Sequence, residues 1–347
     1  MNVIPIHVML LPDGQVLAYG SDNQGGQGGQ LYYEVWNVES GEHRLSANHN
    51  LLTHSTETNI FCSTLSMDVV TGNVLIIGGD NTNNYGIQDA LELNVKRLQI
   101  RKHPLGDMHY ARWYASSINL PNGEIFVVGG KSAEQETTSP IPEVWSLATG
   151  GFRELPGAEI PAITELSLGG DAWWYPHAYV NSAGDIIVII GHGENTAVYH
   201  VGVEESGSIV MVGIKPFASD KLGASLMYDV DLVVFIANDG GLWVADISDA
   251  TKPFFTRKTE LGKGRTNAAM SSLPDGRVVI TGGGEGEGND LELAVMNVQI
   301  WDPVANTVFT GPDQDIPRLY HSSGLILPDG TVFSAGGGAP GPLTNLN

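Results

Sequence analysis

Cysteine is almost absent: Cys62 is the only one in 347 residues. No intrachain disulfide can form, so pairing says nothing about the redox compartment. Taken alone, such a cysteine reads as a small buried hydrophobe. Basic residues are also scarce, 17 Lys and Arg against 39 Asp and Glu, for a formal net charge of -22. Binding to nucleic acid or to an anionic membrane needs clustered positive charge, and both are excluded as partners. No apolar run reaches the roughly 18 residues of a membrane span. The N-terminal stretch MNVIPIHVMLLPDG enters a hairpin pattern without a basic region or cleavage site, so either the chain is cytoplasmic or a leader has been removed. Helical periodicity is nearly missing as well.

Glycine, by contrast, is abundant at 44 residues, and most of it falls in short recurring turns. His7–Gly20 reads HVMLLPDGQVLAYG, Leu65–Gly79 LSMDVVTGNVLIIGG, Ser116–Gly130 SSINLPNGEIFVVGG and Ala178–Gly191 AYVNSAGDIIVIIG. Ala268–Gly284 and Pro317–Gly338 repeat the pattern, while Ala224–Gly241 keeps the apolar runs but has Asp229–Asp231 where the others place Gly. Each repeat is two apolar runs around a turn, then a glycine cluster: a β-hairpin. Later segments such as Tyr33–Glu42, Pro142–Gly150 and Val298–Thr307 read as further strands. About seven repeats spaced roughly 45 to 60 residues apart match Kelch-type blades in period, double glycine and later Trp or Tyr. The expected fold is therefore all-β, a seven-bladed Kelch-like β-propeller occupying residues 1–347 as a single domain. The insertion Gly151–Ala172 is expected over one end of it. Gly338–Asn347 stops where the seventh blade still needs an outer strand, so either the N-terminal segment supplies one or the chain is a fragment.

In a propeller, the residues just before the innermost strands converge at one end of the channel. Here these are Ile6–His7, Phe61–Cys62, Trp113–Tyr114, Tyr175–His177, Thr266–Asn267 and Tyr320–His321. Cys62 and Tyr114 fall in consecutive blades and can be neighbours, with Tyr320 and His321 joining them around the axis. On a regular strand Tyr320 and His321 point to opposite faces, so their joint use as ligands requires irregular backbone. Phenolate oxygen with imidazole nitrogen suits a tetragonal Cu(II) ion better than the thiolate-rich tetrahedral sites of zinc.

Three motifs, IFCSTLSMD around Cys62, ARWYASS around Tyr114 and RLYHSSGLILPDG around Tyr320 and His321, together resemble the galactose oxidase and glyoxal oxidase family of copper radical oxidases. The resemblance implies a copper ion and a thioether joining the Cys62 sulfur to the ring of Tyr114. It implies that Tyr114 is a copper ligand storing one oxidising equivalent as a radical, Tyr320 the axial ligand and proton acceptor, and His321 an equatorial ligand. The implied reaction oxidises a primary alcohol or hydrated aldehyde, of a carbohydrate or small molecule, and reduces oxygen to hydrogen peroxide. The resemblance also implies secretion. In the family a second histidine ligand comes from an immunoglobulin-like domain after the propeller, and this chain is expected to stop before that domain. Ser132 stands where galactose oxidase stacks a tryptophan on the thioether; Trp113, Trp173 and Trp174 are the alternatives for shielding.

Plainer readings stand beside these. Tyr114 and Tyr320 can be packing aromatics with hydrogen-bonded hydroxyls. Tyr175 and His177, in WWYPHAYV, are candidate substrate contacts, or His177 is a hydrogen-bonded channel residue. His7 lines the channel, and His192 falls in a surface turn. The acidic run Glu285–Asp290 reads as a solvated loop without calcium-loop spacing, and the glycines of Gly25–Gly29 lack the Lys-Ser/Thr of a phosphate cradle. Besides the oxidase, a non-catalytic Kelch propeller binding a protein or glycan at the channel mouth remains open. A sialidase-like hydrolase lacks its S-x-D-x-G-x-T-W boxes and arginine set.

Overall fold

The computed structural model describes residues 3–22, 25–26, 29, 31–38, 49–133, 137–164, 172–191, 193–219, 223–286 and 289–337. They form an all-β fold of the propeller class with six four-stranded antiparallel blades and one separate two-stranded hairpin. Blade 1 is Val3–Leu10, Val16–Asp22, Tyr32–Trp36 and His49–Thr53. Blade 2 is Thr64–Met67, Val74–Ile77, Ala90–Asn94 and Gln99–Lys102, and blade 3 is Trp113–Asn119, Ile125–Lys131, Glu143–Ser146 and Gly151–Glu154. Blade 4 is His177–Val180, Ile186–Ile189, Thr196–Gly202 and Ser208–Lys215. Blade 5 is Ser225–Asp229, Leu232–Ile236, Gly241–Asp246 and Phe254–Glu260, and blade 6 is Ala269–Ser272, Val278–Thr281, Asn297–Asp302 and Thr307–Asp313. Among the described residues helix is confined to single 3-10 turns such as Pro156–Ala158 and Pro161–Ile163 in the insertion after blade 3.

The expectation of seven blades is corrected to six. The last hairpin, Ser322–Ile326 with Val332–Gly336, is only two-stranded. The N-terminal strand does not complete it, because Val3–Leu10 pairs with Val16–Asp22 inside blade 1. Residues 338–347, which follow the hairpin, lie outside the described residues, as do His192, residues 27–28 of the Gly25–Gly29 stretch, 287–288 of the Glu285–Asp290 stretch and 165–171 of the insertion.

The turn chemistry explains why the hairpins form. In Leu11–Gln15, Leu120–Glu124, Leu273–Arg277 and Leu327–Thr331, the leucine N–H donates to the carbonyl four residues on, and the turn glycine N–H returns to the leucine carbonyl. The Asp or Asn side chain in each turn accepts the N–H two residues later, as Asp13 Oδ1 does from Gln15 at 3.1 Å and Asp329 Oδ1 from Thr331 at 2.9 Å. The glycine takes the left-handed conformation that closes the turn. Blade 5 lacks that glycine, and Asp231 occupies the left-handed region instead, at φ 62°.

Second strands such as VLII, IIVI and VVIT are buried along their whole length. A strand apolar on both faces must be covered on both faces, so neighbouring blades stack. Burial of each such Val, Leu or Ile stabilises by about 1.5–3 kcal/mol relative to exposure.

The chain divides into two compact units. One comprises Met1–Thr53, Ala218–Ala245 and Phe255–Asn347. In it Val234, Ile236 and Leu242 of blade 5 pack with Val278, Ile280 and Trp301 of blade 6. Val16 and Trp36 of blade 1 pack with Leu327 of the last hairpin. The other comprises His54–Phe217 and Asp246–Phe254, where Leu75 and Ile77 of blade 2 pack with Ile125, Val127 and Trp145 of blade 3.

Candidate active site

One backbone feature recurs where first strands begin. Cys62, Tyr114 and Tyr175, at the starts of blades 2, 3 and 4, have φ of 55°, 65° and 36°. Asn267, before blade 6, and His321, before the last hairpin, have φ of 57° and 65°. Left-handed backbone is uncommon and costly for such side chains and persists only where surrounding structure enforces it. Here it breaks the alternation of side chains along a strand. Tyr320 and His321 therefore stack, ring centroids 3.8 Å apart and planes 24° from parallel, where a regular strand would separate them.

Arginines, two of them buried and one partly buried, brace the backbone before Tyr114, Asn267 and His321, and the sequence reading missed them. Arg112, wholly buried, donates from Nη1 to the Gly129 carbonyl at 2.7 Å and from Nη2 to the Ile141 carbonyl at 2.6 Å and to Glu143 Oε2 at 3.0 Å. Arg265 donates from Nε to the Gly282 carbonyl and from Nη1 to Gln299 Oε1, both at 2.7 Å. Arg318 donates from Nη1 to the Gly336 carbonyl at 2.7 Å. In all three places the guanidinium clamps the start of a first strand to the glycine turn of its own hairpin. The signal was an arginine two or three residues before the left-handed position, in ARWY, GRTN and PRLYH.

In the second unit, Cys62 and Tyr114 come together. Tyr114 donates its N–H to the Cys62 carbonyl at 3.1 Å, and Tyr175 donates its N–H to the Tyr114 carbonyl at 2.8 Å, so three consecutive blade starts are stitched in series. Cys62 is fully buried and Tyr114 is 2% exposed. Burial pushes the Cys62 thiol well above its ordinary range; a hydrogen bond from the Tyr114 side chain draws it back, and the negative field of Asp80 adds to the rise.

Four aromatic rings enclose the Tyr114 ring. Trp113 meets it edge-on at 4.2 Å, Trp174 lies over it at 4.6 Å and 36°, and Tyr175 and Trp173 stand at 4.8 and 6.4 Å. The Tyr175 hydroxyl donates to the Ser63 carbonyl at 3.3 Å, which fixes that ring beside the cysteine loop. His177, on the first strand of blade 4, stacks on Tyr179 at 6.5 Å. Burial, with the nearby Lys215 charge, lowers its pKa to about 4, and burial lowers that of Lys215 to about 8.

In the first unit, Tyr320 and His321 have His7 for a neighbour. His7 stacks on Tyr19 at 4.9 Å, and burial together with the charge of His321 lowers its pKa to about 3. Ser323 Oγ donates to the Ile6 carbonyl at 2.6 Å, holding the two strands side by side. The candidate residues thus fall into two groups, one in each unit. Among the described residues no three His, Cys, Asp or Glu side chains cluster as metal ligands. The first unit's group offers phenol and imidazole, donors that suit copper, and the second unit's offers phenol and thiol.

No family model matches the chain. Its curated relatives are oxidases, and the likeness first seen in three motifs extends along nearly the whole sequence. A galactose oxidase of Gibberella zeae is 26% identical over 375 residues, covering 99% of this chain and 52% of the relative. The aldehyde oxidase GLOX of Vitis pseudoreticulata is 24% identical over 260 residues, covering 66% and 46%. The chain spans about half the length of the curated relatives it matches. Among solved structures, a fungal alcohol oxidase of the AA5 family in complex with copper superposes with a TM-score of 0.82 at 20% identity, covering all of this chain and 73% of that one. YjhT superposes with 0.51 at 11% identity, covering 79% and 92%. Both share the fold. No helix among the described residues is long and apolar enough to cross a membrane.

Proposed function

We propose that this chain is the propeller part of a secreted copper radical oxidase, converting a primary alcohol or hydrated aldehyde, of a carbohydrate or small molecule, with reduction of dioxygen to hydrogen peroxide. The observation that carries this is the buried thiol of Cys62 hydrogen-bonded by the phenol of Tyr114 inside an aromatic enclosure, at two consecutive blade starts. A cysteine kept only for packing needs no phenol at its sulfur.

Tyr114, Tyr320 and His321 would hold the metal, and Cys62 would be joined through sulfur to the Tyr114 ring. Copper, when bound, would supply a one-electron acceptor, complementing the oxidising equivalent stored on the modified tyrosine. The Tyr320 phenol oxygen receives the proton of the substrate hydroxyl. The stack of Tyr320 on His321 fixes its orientation while it does so. Trp174 and Trp113 cover the Tyr114 ring and keep water from it, the role left open between them and Trp173 by spacing alone.

The chain loaded with copper is tested against primary-alcohol sugars and small aldehydes, with oxygen uptake and peroxide measured together. Matched oxygen uptake and peroxide, both lost in Cys62→Ser and in Tyr114→Phe, are expected. Peroxide production undiminished in both variants contradicts the mechanism. A copper-loaded chain that keeps a free thiol and binds a glycan without oxidising it would be a binding propeller.

A further inference from the structure

Tyr114 is 2% exposed, so no oxidant in solution touches its ring. An oxidising equivalent delivered to it from outside has to pass through a neighbouring ring. Of the four rings around it, those of Trp113 and Trp173 are buried, whereas Trp174 and Tyr175 are half-buried and can be reached.

Chemistry separates these two. The Tyr175 hydroxyl donates to the Ser63 carbonyl at 3.3 Å, and an amide oxygen is too weak a base to take the proton that a phenol sheds when it loses an electron. An indole passes an electron on without shedding a proton. Trp174 also lies over the Tyr114 ring, centroids 4.6 Å apart and planes 36° from parallel, while Tyr175 meets it edge-on at 69°.

The surroundings of Trp174 set the direction. Trp173 packs against it at 4.8 Å and is the other place a positive charge could go. The Lys131 ammonium lies 6.0 Å from the Trp173 ring and 4.3 Å from that of Tyr85. A cation attracted by a neutral ring is repelled by the same ring once oxidised, so Lys131 keeps positive charge off Trp173 and on Trp174, beside Tyr114. The Gly130 N–H donates to the Trp173 carbonyl at 2.9 Å, which ties the tryptophan pair to the glycine turn of the blade that carries Tyr114.

We propose that Trp174 is an electron relay through which a one-electron oxidant in solution oxidises the buried Tyr114, an assignment whose purpose, readying the radical, rests on the copper radical function above. The oxidant takes one electron from the Trp174 indole, and Trp174 recovers one from Tyr114. Trp174 ends unchanged, and the oxidant is reduced by one electron. Tyr114 has lost one electron and, in the metal-free chain, the proton of its O–H bond, which leaves to solvent; no other bond forms or breaks. The net charge of -22 favours the approach of a cationic oxidant, such as a trivalent metal complex.

The metal-free chain is mixed with tris(bipyridine)ruthenium(II) and a sacrificial electron acceptor, and a light flash generates ruthenium(III). Radical absorbance is then followed in time, with thermal melting as a control on the fold. In wild type an indole radical is expected first, and a tyrosyl radical then grows at the rate at which the indole radical decays. That growth is absent from Tyr114→Phe. Trp174→Phe, which keeps a ring over Tyr114 but cannot carry the electron, is expected to lose the growth at an unchanged melting temperature, and Tyr175→Phe to keep it. Growth as in wild type in Trp174→Phe, or its loss in Tyr175→Phe, overturns the relay. So does tyrosyl growth in wild type with no indole radical before it, a result that depends on no variant folding. A wild-type chain that relays in this way, yet oxidises no alcohol or aldehyde when loaded with copper, keeps the route and overturns the oxidase it serves.

Discussion

Blades 3 and 6 are the same device with different contents. Each begins with a buried arginine that clamps a glycine turn and the third strand, and each places a left-handed residue two positions later. In blade 3 the guanidinium meets a buried carboxylate, Glu143, and the left-handed residue is Tyr114. In blade 6 it meets the neutral amide of Gln299, and the left-handed residue is Asn267. The scaffold is therefore indifferent to the chemistry it displays. What changes is the charge behind the strand and the side chain in front of it.

The largest expected effect is at the charged clamp. Arg112→Met removes the cation from buried Glu143, which among the described residues keeps only its contacts with His109 and Tyr110, and should cost about 3–5 kcal/mol in denaturant unfolding. Blade 4 buries a different cation, Lys215 at the end of its outer strand, 1% exposed. Its pKa is lowered by burial from 10.5 to about 8, so between those values the unfolded chain binds the extra proton and stability rises with pH. The rise should be of order 3 kcal/mol at most and should vanish in Lys215→Met, seen as a flattened difference in melting between pH 8 and 10.5. Arg265→Met, which strands only neutral groups, should cost about 1–3 kcal/mol. Losses at Arg112 and Arg265 that are equal would break the comparison.

The smallest effects are in the turns. A Cβ on Gly123 of blade 3, at φ 85°, would sit 3.4 Å from the Val69 side chain, whereas one on Gly276 of blade 6, at φ 84°, meets nothing within 4 Å. Gly276→Ala should cost about 1–2 kcal/mol of backbone strain, and Gly123→Ala slightly more, both read from thermal melts.

The hairpins were legible because leucine, Asp or Asn, and glycine recur at fixed offsets, and this placed Cys62, Tyr114, Tyr175, Asn267 and His321 at equivalent positions. The number of blades was not legible, because a hairpin signal marks two strands and says nothing of whether a third and fourth are added. The left-handed backbone at Tyr114 and His321 was hidden for a different reason. Local preference disfavours it for both residue types, and the arginine clamps that impose it act over about 20 residues of sequence. Spacing also could not rank Trp113, Trp173 and Trp174, whereas packing separates an edge contact, a distant ring and an overlying one.

The most direct test is a peptide map of the chain after exposure to copper and oxygen. A single joined species containing the peptides of Cys62 and Tyr114, lighter than their sum by two hydrogens and absent from Cys62→Ser, is the result expected. Separate peptides with an alkylatable Cys62 thiol would contradict the account.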